Sequence, residues 1–231
     1  MVASDLVALN RRVVGIIAAA GSGQRFGGEL PKAFVDLNGL SLLTRSALAL
    51  SSVCETIVVA APTDFLEAAA DLLSEVDADV VVIPGGSNRQ ESVAAALKFV
   101  DPEIDFVLVH DAARALVPLH VCESVVQALA DGARAVIPVL PVIDTIRRVD
   151  LGGACIETID RSSLRRVQTP QGFWRETLVA AHLDPAQNAT DDAGLVERMG
   201  IAITTVNGDE RSIKVTTRDD LLIAQAFLGE S

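Results

Sequence analysis

The sequence predicts an α/β protein built on a mostly parallel sheet, and two observations predict it. Short apolar runs rich in β-branched residues recur along the chain with helix-period segments between them, the β-α-β-α rhythm of a parallel sheet. The chain is also 50% hydrophobic but only 3% aromatic, dominated by Ala, Val, Leu and Ile, as packed parallel strands and helices require.

The elements follow in order. Val13-Val14-Gly15-Ile16-Ile17-Ala18 is a continuous apolar run, the mark of a strand buried on both faces. Further strands are expected at Thr56–Ala61, Asp79–Pro84, Asp105–His110 and Arg134–Pro138. Helix-period segments lie between them at Ser41–Leu50, Asp64–Ser74, Arg89–Val100 and Pro118–Asp131, several opened by a Ser, Asp or Pro start signal. After Pro141 the rhythm breaks. Residues 144–150 and 156–160 alternate polar and apolar around Gly152-Gly153, which reads either as a hairpin or as a solvated loop with chance alternation. A two-stranded ribbon is marginal alone in water, so a hairpin here needs something to pack on, such as another subunit. Helical pattern returns at Trp174–His182 and Thr190–Met199, then a strand at Ile201–Val206 and a closing helix at Arg218–Leu228. There is no internal repeat and no low-complexity segment.

At 231 residues the chain fits one large domain, 1–231, with a small appendage at about 142–163. A net charge of −12 argues against nucleic acid or an anionic membrane as a partner, because both are gripped by excess Lys and Arg. Cys54, Cys122 and Cys155 are odd in number and widely spaced, so neither a disulfide framework nor a zinc site is indicated. No apolar run reaches the length of about 20 residues that spans a bilayer, and the amino terminus lacks a basic region followed by an apolar stretch. A cytoplasmic protein is expected.

The richest segment is Ala19-Ala20-Gly21-Ser22-Gly23-Gln24-Arg25, with Lys32 following in Pro31-Lys32. It leaves the carboxyl end of the first strand, where open α/β sheets bind ligands. Ala19, Ala20, Gly21 and Gly23 let a base and a polyphosphate approach the backbone, and Arg25 and Lys32 supply countercharge. The alternative is a flexible turn with a surface Arg and Lys. A dinucleotide fingerprint needs a third glycine where Phe26 stands and an acidic residue after the next strand, which instead ends Ala60-Ala61-Pro62. A Walker loop needs its lysine between Gly and Ser or Thr, whereas Lys32 lies between Pro31 and Ala33.

Three further groups carry chemistry. Gly85-Gly86-Ser87-Asn88-Arg89-Gln90-Glu91-Ser92 opens a helix whose first amides suit a base edge or phosphate, with Ser92 one turn in; the alternative is a plain capped helix. In His110-Asp111-Ala112-Ala113-Arg114, Asp111 at a strand's end suits Mg²⁺, a hard cation, and Arg114 suits a second anion; the alternative is an Asp–Arg pair capping the next segment. His110 reads as a satisfied core or supporting histidine, while His120 and His182 carry no signal. Arg161, Thr169, Thr190 with Asp191-Asp192, and Lys214 form the third group. Lys214 has apolar neighbours on both sides, so it either faces an anion or snorkels from an edge strand. Several cations and one metal-suited carboxylate, without a Ser–His or Cys–His pair, fit phosphoryl-type transfer, which is mostly positioning and charge stabilisation.

These segments together are similar to the 2-C-methyl-D-erythritol 4-phosphate cytidylyltransferase family of the non-mevalonate isoprenoid pathway, from Val13 to about Leu228. The matching motifs are AAGSGQR with PK at 31–32, GGSNRQES at 85–92, VHDAAR at 109–114, PVIDTI at 141–146, DR at 160–161, QTPQGF at 168–173, TDDA at 190–193 and IKVTT at 213–217. The resemblance implies a Rossmann-like, three-layer αβα nucleotidyltransferase fold with a protruding β-arm, a homodimer of embracing arms, and Mg²⁺-dependent transfer of CMP from CTP to the sugar-alcohol phosphate. It implies Ala19, Ala20, Gly21, Gly23, Gly86, Arg89, Ser92 and Ala112 around the nucleotide, with Arg25, Lys32 and Lys214 as catalytic cations on the phosphates. Asp111 is implied at the metal and substrate, and Arg114, Thr169 and Thr190 at the methylerythritol phosphate, joined by Thr145 and Arg161 from a partner's arm. Ala115 departs from the family, which often has proline there. The alternative acceptor is ribitol 5-phosphate; a nucleotide-binding regulator and an NAD-linked oxidoreductase are the rival classes, the latter disfavoured by Phe26 and the missing acid.

Overall fold

The computed structural model describes residues 11–21, 30–183 and 189–229. Strand β1 (Val13–Ala18) is buried on both faces: Val13 and Ile17 enter one core, Val14 and Ile16 the other. A short hairpin follows, β2 (Asp36–Leu37) and β3 (Leu40–Ser41), turned by Asn38 at φ 51° and Gly39 at φ 84°. Asn-Gly is the pair that adopts this left-handed turn at least cost. Ser41 then caps α1 (Leu42–Ser51) by accepting from the Thr44 amide.

The next units repeat the crossover: β4 (Thr56–Ala61), α2 (Leu66–Leu73), β5 (Asp79–Pro84), α3 (Arg89–Leu97), β6 (Phe106–Asp111) and α4 (Leu119–Ala130). Strand β7 (Ala135–Pro141) leads into β8 (Ile146–Val149) and β9 (Cys155–Ile159), which pair antiparallel with each other as a separate two-stranded sheet. The hairpin expectation for this segment holds. The chain continues through β10 (Arg165–Val167), β11 (Gln171–Trp174), α5 (Arg175–Ala181), α6 (Asp192–Arg198), β12 (Thr204–Asn207) and α7 (Arg218–Gly229).

Among the described residues the main sheet has eight strands, ordered β10-β7-β11-β6-β1-β4-β5, with β12 also paired to β7. The pairs β1–β4, β1–β6, β4–β5 and β7–β12 are parallel, whereas β11 runs antiparallel between β6 and β7. The expected mostly parallel sheet is thus present, with an antiparallel insertion that periodicity did not reveal. Helices cover both faces: α1, α2 and α4 bury Ala47, Leu73 and Val125 on one, and α3, α5 and α6 bury Ala96, Leu178 and Val196 on the other. From β1 the chain winds out through β4 to β5 and then returns to β6 on the other side of β1. The β1/β6 boundary is therefore a topological switch point, where open sheets leave a crevice beyond their carboxyl ends.

Several boundaries differ from expectation. Asp111 is the last residue of β6, level with Ala18 of β1, rather than the first residue of the loop. Trp174 ends a strand, and its helix starts at Arg175. Residues 213–217 form no strand, so the edge-strand reading of Lys214 is overturned.

Candidate active site

The crevice at the switch point holds a cavity of about 350 Å³ formed by Ala18–Gly21, Lys32, Gly86–Arg89, Ser92, Asp111–Ala113 and Lys214. These segments close up because small residues let them touch. A Cβ placed on Gly85 falls 2.2 Å from the Ala20 Cβ and would push the two loops apart, and one on Gly86 falls 2.3 Å from the Glu91 Cβ and would open the turn into α3. The α3 entry braces itself: Asn88 Oδ1 accepts from the Glu91 amide, and Glu91 Oε2 accepts from the Ser87 amide. Ser92 Oγ accepts from the Gly86 amide at 3.0 Å and donates to the Asn88 carbonyl. Its hydroxyl therefore shapes the glycine turn.

A second cavity of about 160 Å³ lies alongside, lined by Arg114, Val167–Thr169, Gln171, Thr190 and Asp191. Arg89, Asp111 and Lys214 line both. At this junction Asp111 Oδ1 accepts from Arg89 Nε at 2.8 Å and Oδ2 from Lys214 Nζ at 2.7 Å. Burial alone would raise the Asp111 carboxyl, but the Arg89 and Lys214 charges outweigh it and hold the group well below the usual carboxylate range. Lys214 thus faces an anion, as one of the two sequence readings required, and the anion belongs to the chain itself. The proposed Asp111–Arg114 cap does not form: Arg114 donates to the carbonyls of Ser212 at 2.7 Å and Val167 at 3.1 Å, fastening the Lys214 segment beside the second cavity.

Behind this front lies a more buried layer. Arg89 NH1 donates to Asp192 Oδ2 at 2.6 Å, and Asp192 Oδ1 meets His182 Nε2 at 2.9 Å. Thr169 Oγ1 accepts from the Asp111 amide at 3.1 Å and shares a hydrogen bond with His110 Nδ1 at 2.9 Å. Burial brings the His110 imidazole down to about 4, so it is neutral near pH 7 and supports Thr169 from the core. The expectation of a fully satisfied histidine fails in part, because its Nε2 is buried without a hydrogen-bond partner. Gln171 donates to Asp191 Oδ2 and accepts from the Ala193 amide, locking the start of α6 to β11.

The structure brings together Ala19, Ala20, Gly21, Lys32, Gly86, Arg89, Ser92, Asp111, Ala112 and Lys214 around the larger cavity, and Arg114, Thr169 and Thr190 around the smaller. Gly23 and Arg25 lie outside the described residues. Thr145 and Arg161 stand exposed by the hairpin and line neither cavity of their own chain; Arg161 donates to the Ile143 carbonyl. Sequence reasoning missed the bridging place of Arg89 between two carboxylates and gave His182 no role. Nothing local signals the latter pair, since His182 and Asp192 meet only after the chain returns ten residues later.

No group of three or more His, Cys, Asp or Glu among the described residues is placed to hold a metal. Asp111 fits a different kind of site, one in which Mg²⁺ binds through one or two carboxylates and takes its other oxygens from substrate phosphates and water.

A crevice at a switch point, shared between two cavities that meet where Arg89 and Lys214 pair with Asp111, belongs to an α/β nucleotidyltransferase. The family model described as IspD, 2-C-methyl-D-erythritol 4-phosphate cytidylyltransferase, matches residues 13–230, and the chain belongs to this family. It is 47% identical over 220 residues to the 2-C-methyl-D-erythritol 4-phosphate cytidylyltransferase of Frankia casuarinae, covering 94% of this chain and 82% of that one. Against the protein of the same description from Saccharopolyspora erythraea it is 48% identical over 222 residues, covering 94% and 99%. The crystal structure of the Thermus thermophilus 2-C-methyl-D-erythritol 4-phosphate cytidylyltransferase matches with a TM-score of 0.77 at 33% identity, over 94% of this chain and 98% of that chain. The 4-diphosphocytidyl-2C-methyl-D-erythritol synthase of Anaerococcus prevotii matches with a TM-score of 0.82 at 26% identity, over 95% and 99%.

Proposed function

We propose that the protein transfers CMP from CTP to 2-C-methyl-D-erythritol 4-phosphate in an Mg²⁺-dependent reaction, giving 4-diphosphocytidyl-2-C-methyl-D-erythritol and pyrophosphate. Family membership supports the reaction, and the observation that carries the site assignment is the pair of cavities meeting at Arg89, Asp111 and Lys214. The larger takes CTP and the smaller takes the acceptor. An oxygen of the acceptor phosphate forms the new bond to the α-phosphorus while the bond from that phosphorus to the β-phosphate oxygen breaks, and pyrophosphate leaves with the electron pair. A phosphate monoester is largely dianionic at neutral pH, with a second pKa of about 6, so no general base is required.

Lys32 and Lys214, with Arg25, hold the phosphate oxygens and stabilise the charge that develops on them. Arg114, Thr169 and Thr190 face the acceptor. Asp111 is the residue that would hold Mg²⁺, which when bound would neutralise part of the triphosphate charge. In this structure Lys214 occupies Asp111 Oδ2 with its side chain 41% exposed, and turning it onto a phosphate oxygen frees that carboxylate oxygen.

The protein acts as a single domain whose arm, about 142–163, joins two copies so that Thr145 and Arg161 reach the partner's acceptor. Supporting this, the arm carries Ile143 71% exposed and Leu151 110% exposed with Val149 and Ile156, apolar surface that a monomer leaves in water. No helix among the described residues is long and apolar enough to cross a membrane.

Pyrophosphate release tests the function, with Mg²⁺ and CTP against methylerythritol phosphate, ribitol 5-phosphate or no acceptor, and with UTP and ATP as controls. Release with CTP and methylerythritol phosphate alone is expected. Release with ribitol 5-phosphate instead overturns the acceptor, and CTP binding without release from any acceptor makes the protein a nucleotide-binding regulator.

A further inference from the structure

We propose that Asp192 and His182 are positioning residues of the nucleotide site, which act through Arg89 to keep the Asp111 carboxylate open to the cavities. The inference rests on the cytidylyl-transfer reading above. It begins with the way one guanidinium is stretched. An arginine free to choose pairs side-on with a single carboxylate through two parallel hydrogen bonds. Arg89 instead gives Nε to Asp111 Oδ1 at 2.8 Å and NH1 to Asp192 Oδ2 at 2.6 Å, and its NH2 is buried without a hydrogen-bond partner. The arginine is shared between two carboxylates, with donor capacity to spare.

What prevents it from closing over Asp111 is the fixity of Asp192. That side chain is 1% exposed, and its other oxygen, Oδ1, is held at 2.9 Å by His182 Nε2, itself on a side chain 4% exposed. Burial alone would raise the Asp192 carboxyl, but the Arg89 and His182 contacts hold it below its usual range, so it is ionised and His182 Nε2 must carry the proton of that bond. Leu195 and Val196, buried in the sheet-facing core, fix the helix that carries Asp192. With both oxygens engaged and its backbone packed, Asp192 cannot follow Arg89 toward the cavity. It restrains one end of the guanidinium and leaves Asp111 Oδ2 to Lys214, the oxygen that the reaction needs released.

Neither Asp192 nor His182 is among the residues lining the two cavities, whereas Arg89 and Asp111 line both. The side-chain contact that links the buried pair to the larger cavity is the one to Arg89. Without Asp192, Arg89 swings its free N–H groups onto Asp111, competes with Lys214 for Oδ2 and closes the carboxylate to an incoming nucleotide complex.

Calorimetric titration with CTP and Mg²⁺ tests this on the native protein, Asp192→Asn, Arg89→Gln and the double variant. Coupled neighbours are expected to show a large non-additive effect, so Asp192→Asn weakens CTP binding about tenfold with Arg89 present and less than about twofold in the Arg89→Gln background. Equal weakening in both backgrounds shows a merely structural role and overturns the proposal, as does an unchanged Kd in Asp192→Asn. Where Asp192→Asn fails to fold or Arg89→Gln abolishes binding, His182 carries the test: His182→Ala weakens CTP binding and His182→Gln, which keeps an N–H donor, recovers most of it. Equal binding by those two variants overturns the proposal. A native protein that does not bind CTP removes the cytidylyl-transfer reading itself, an outcome distinct from native binding that Asp192→Asn leaves unchanged.

Discussion

Lys214 is placed by its anion. Its segment has no strand to hold it, yet Nζ sits 2.7 Å from Asp111 and the adjoining Ser212 carbonyl is fastened by Arg114. In the proposed reaction, a cation already paired with Asp111 at the junction of the two cavities needs only to exchange one oxyanion for another when a triphosphate binds. Lys214→Ala is therefore expected to lower kcat by about 3 kcal/mol, on the order of a hundredfold, as loss of a single oxyanion donor does in other enzymes. Its half-exposed side chain makes the accompanying change in melting temperature small. Steady-state pyrophosphate release beside thermal unfolding checks both; a fold loss without a rate loss contradicts the assignment. Lys32→Ala, at a second lysine lining the same cavity, is expected to cost a similar factor in kcat/KM.

The closing helix α7 depends on a cap that chemistry makes pH-sensitive. Asp220 accepts from the amides of Thr216 and Thr217 and from the Thr216 hydroxyl, at 2.8, 2.8 and 2.6 Å. The Thr216 hydroxyl, with those amides, lowers the Asp220 carboxyl to about 2. A carboxyl depressed in the fold stabilises it above the ordinary pKa near 4 and loses that contribution as pH falls through about 2. Asp220→Ala is expected to cost about 1 kcal/mol at pH 7, and the gap to the native protein closes between pH 4 and 2. Urea unfolding across that range measures it; a gap independent of pH assigns the loss to packing. The stretch from Lys214 through Thr216 to Asp220 also shows which elements were legible. The apolar runs of β1, β4, β5 and β6 are long-range pattern, so periodicity found them and placed their loops on one edge. Strand β11 escaped because it is four residues long, follows Pro170 and pairs antiparallel between two strands distant in sequence. The Asn38-Gly39 turn did carry a local signal, and its two-residue strands were too short to show alternation. In the site, Asp111 and Lys214 were identified one by one from sequence, while their mutual bond and the Arg89–Asp192–His182 layer behind it arise from tertiary closure that no spacing encodes.

On the scale of the whole molecule, the smaller cavity is built by one chain, and the arm residues proposed to complete it lie away from it. Thr145 and Arg161 are exposed, and the hairpin that carries them pairs only with itself among the described residues while presenting Ile143, Val149 and Ile156 to solvent. In the proposed dimer, a ribbon of two strands would gain its packing from a second copy, and a two-fold arrangement would make each arm serve the other's crevice. Such sharing makes a prediction that a monomer cannot meet. Arg161→Ala and Lys214→Ala, each inactive or nearly so as a homodimer, are mixed in equal amounts, unfolded and refolded together. Random pairing makes half of the dimers mixed, and each mixed dimer contains one crevice with a native Lys214 facing a native Arg161 and one crevice with neither. About a quarter of the native activity is then recovered from two inactive proteins. If Arg161 instead served the crevice of its own chain, every crevice in the mixture would carry one defect and no activity would return, so the yield of the mixture separates the two arrangements directly.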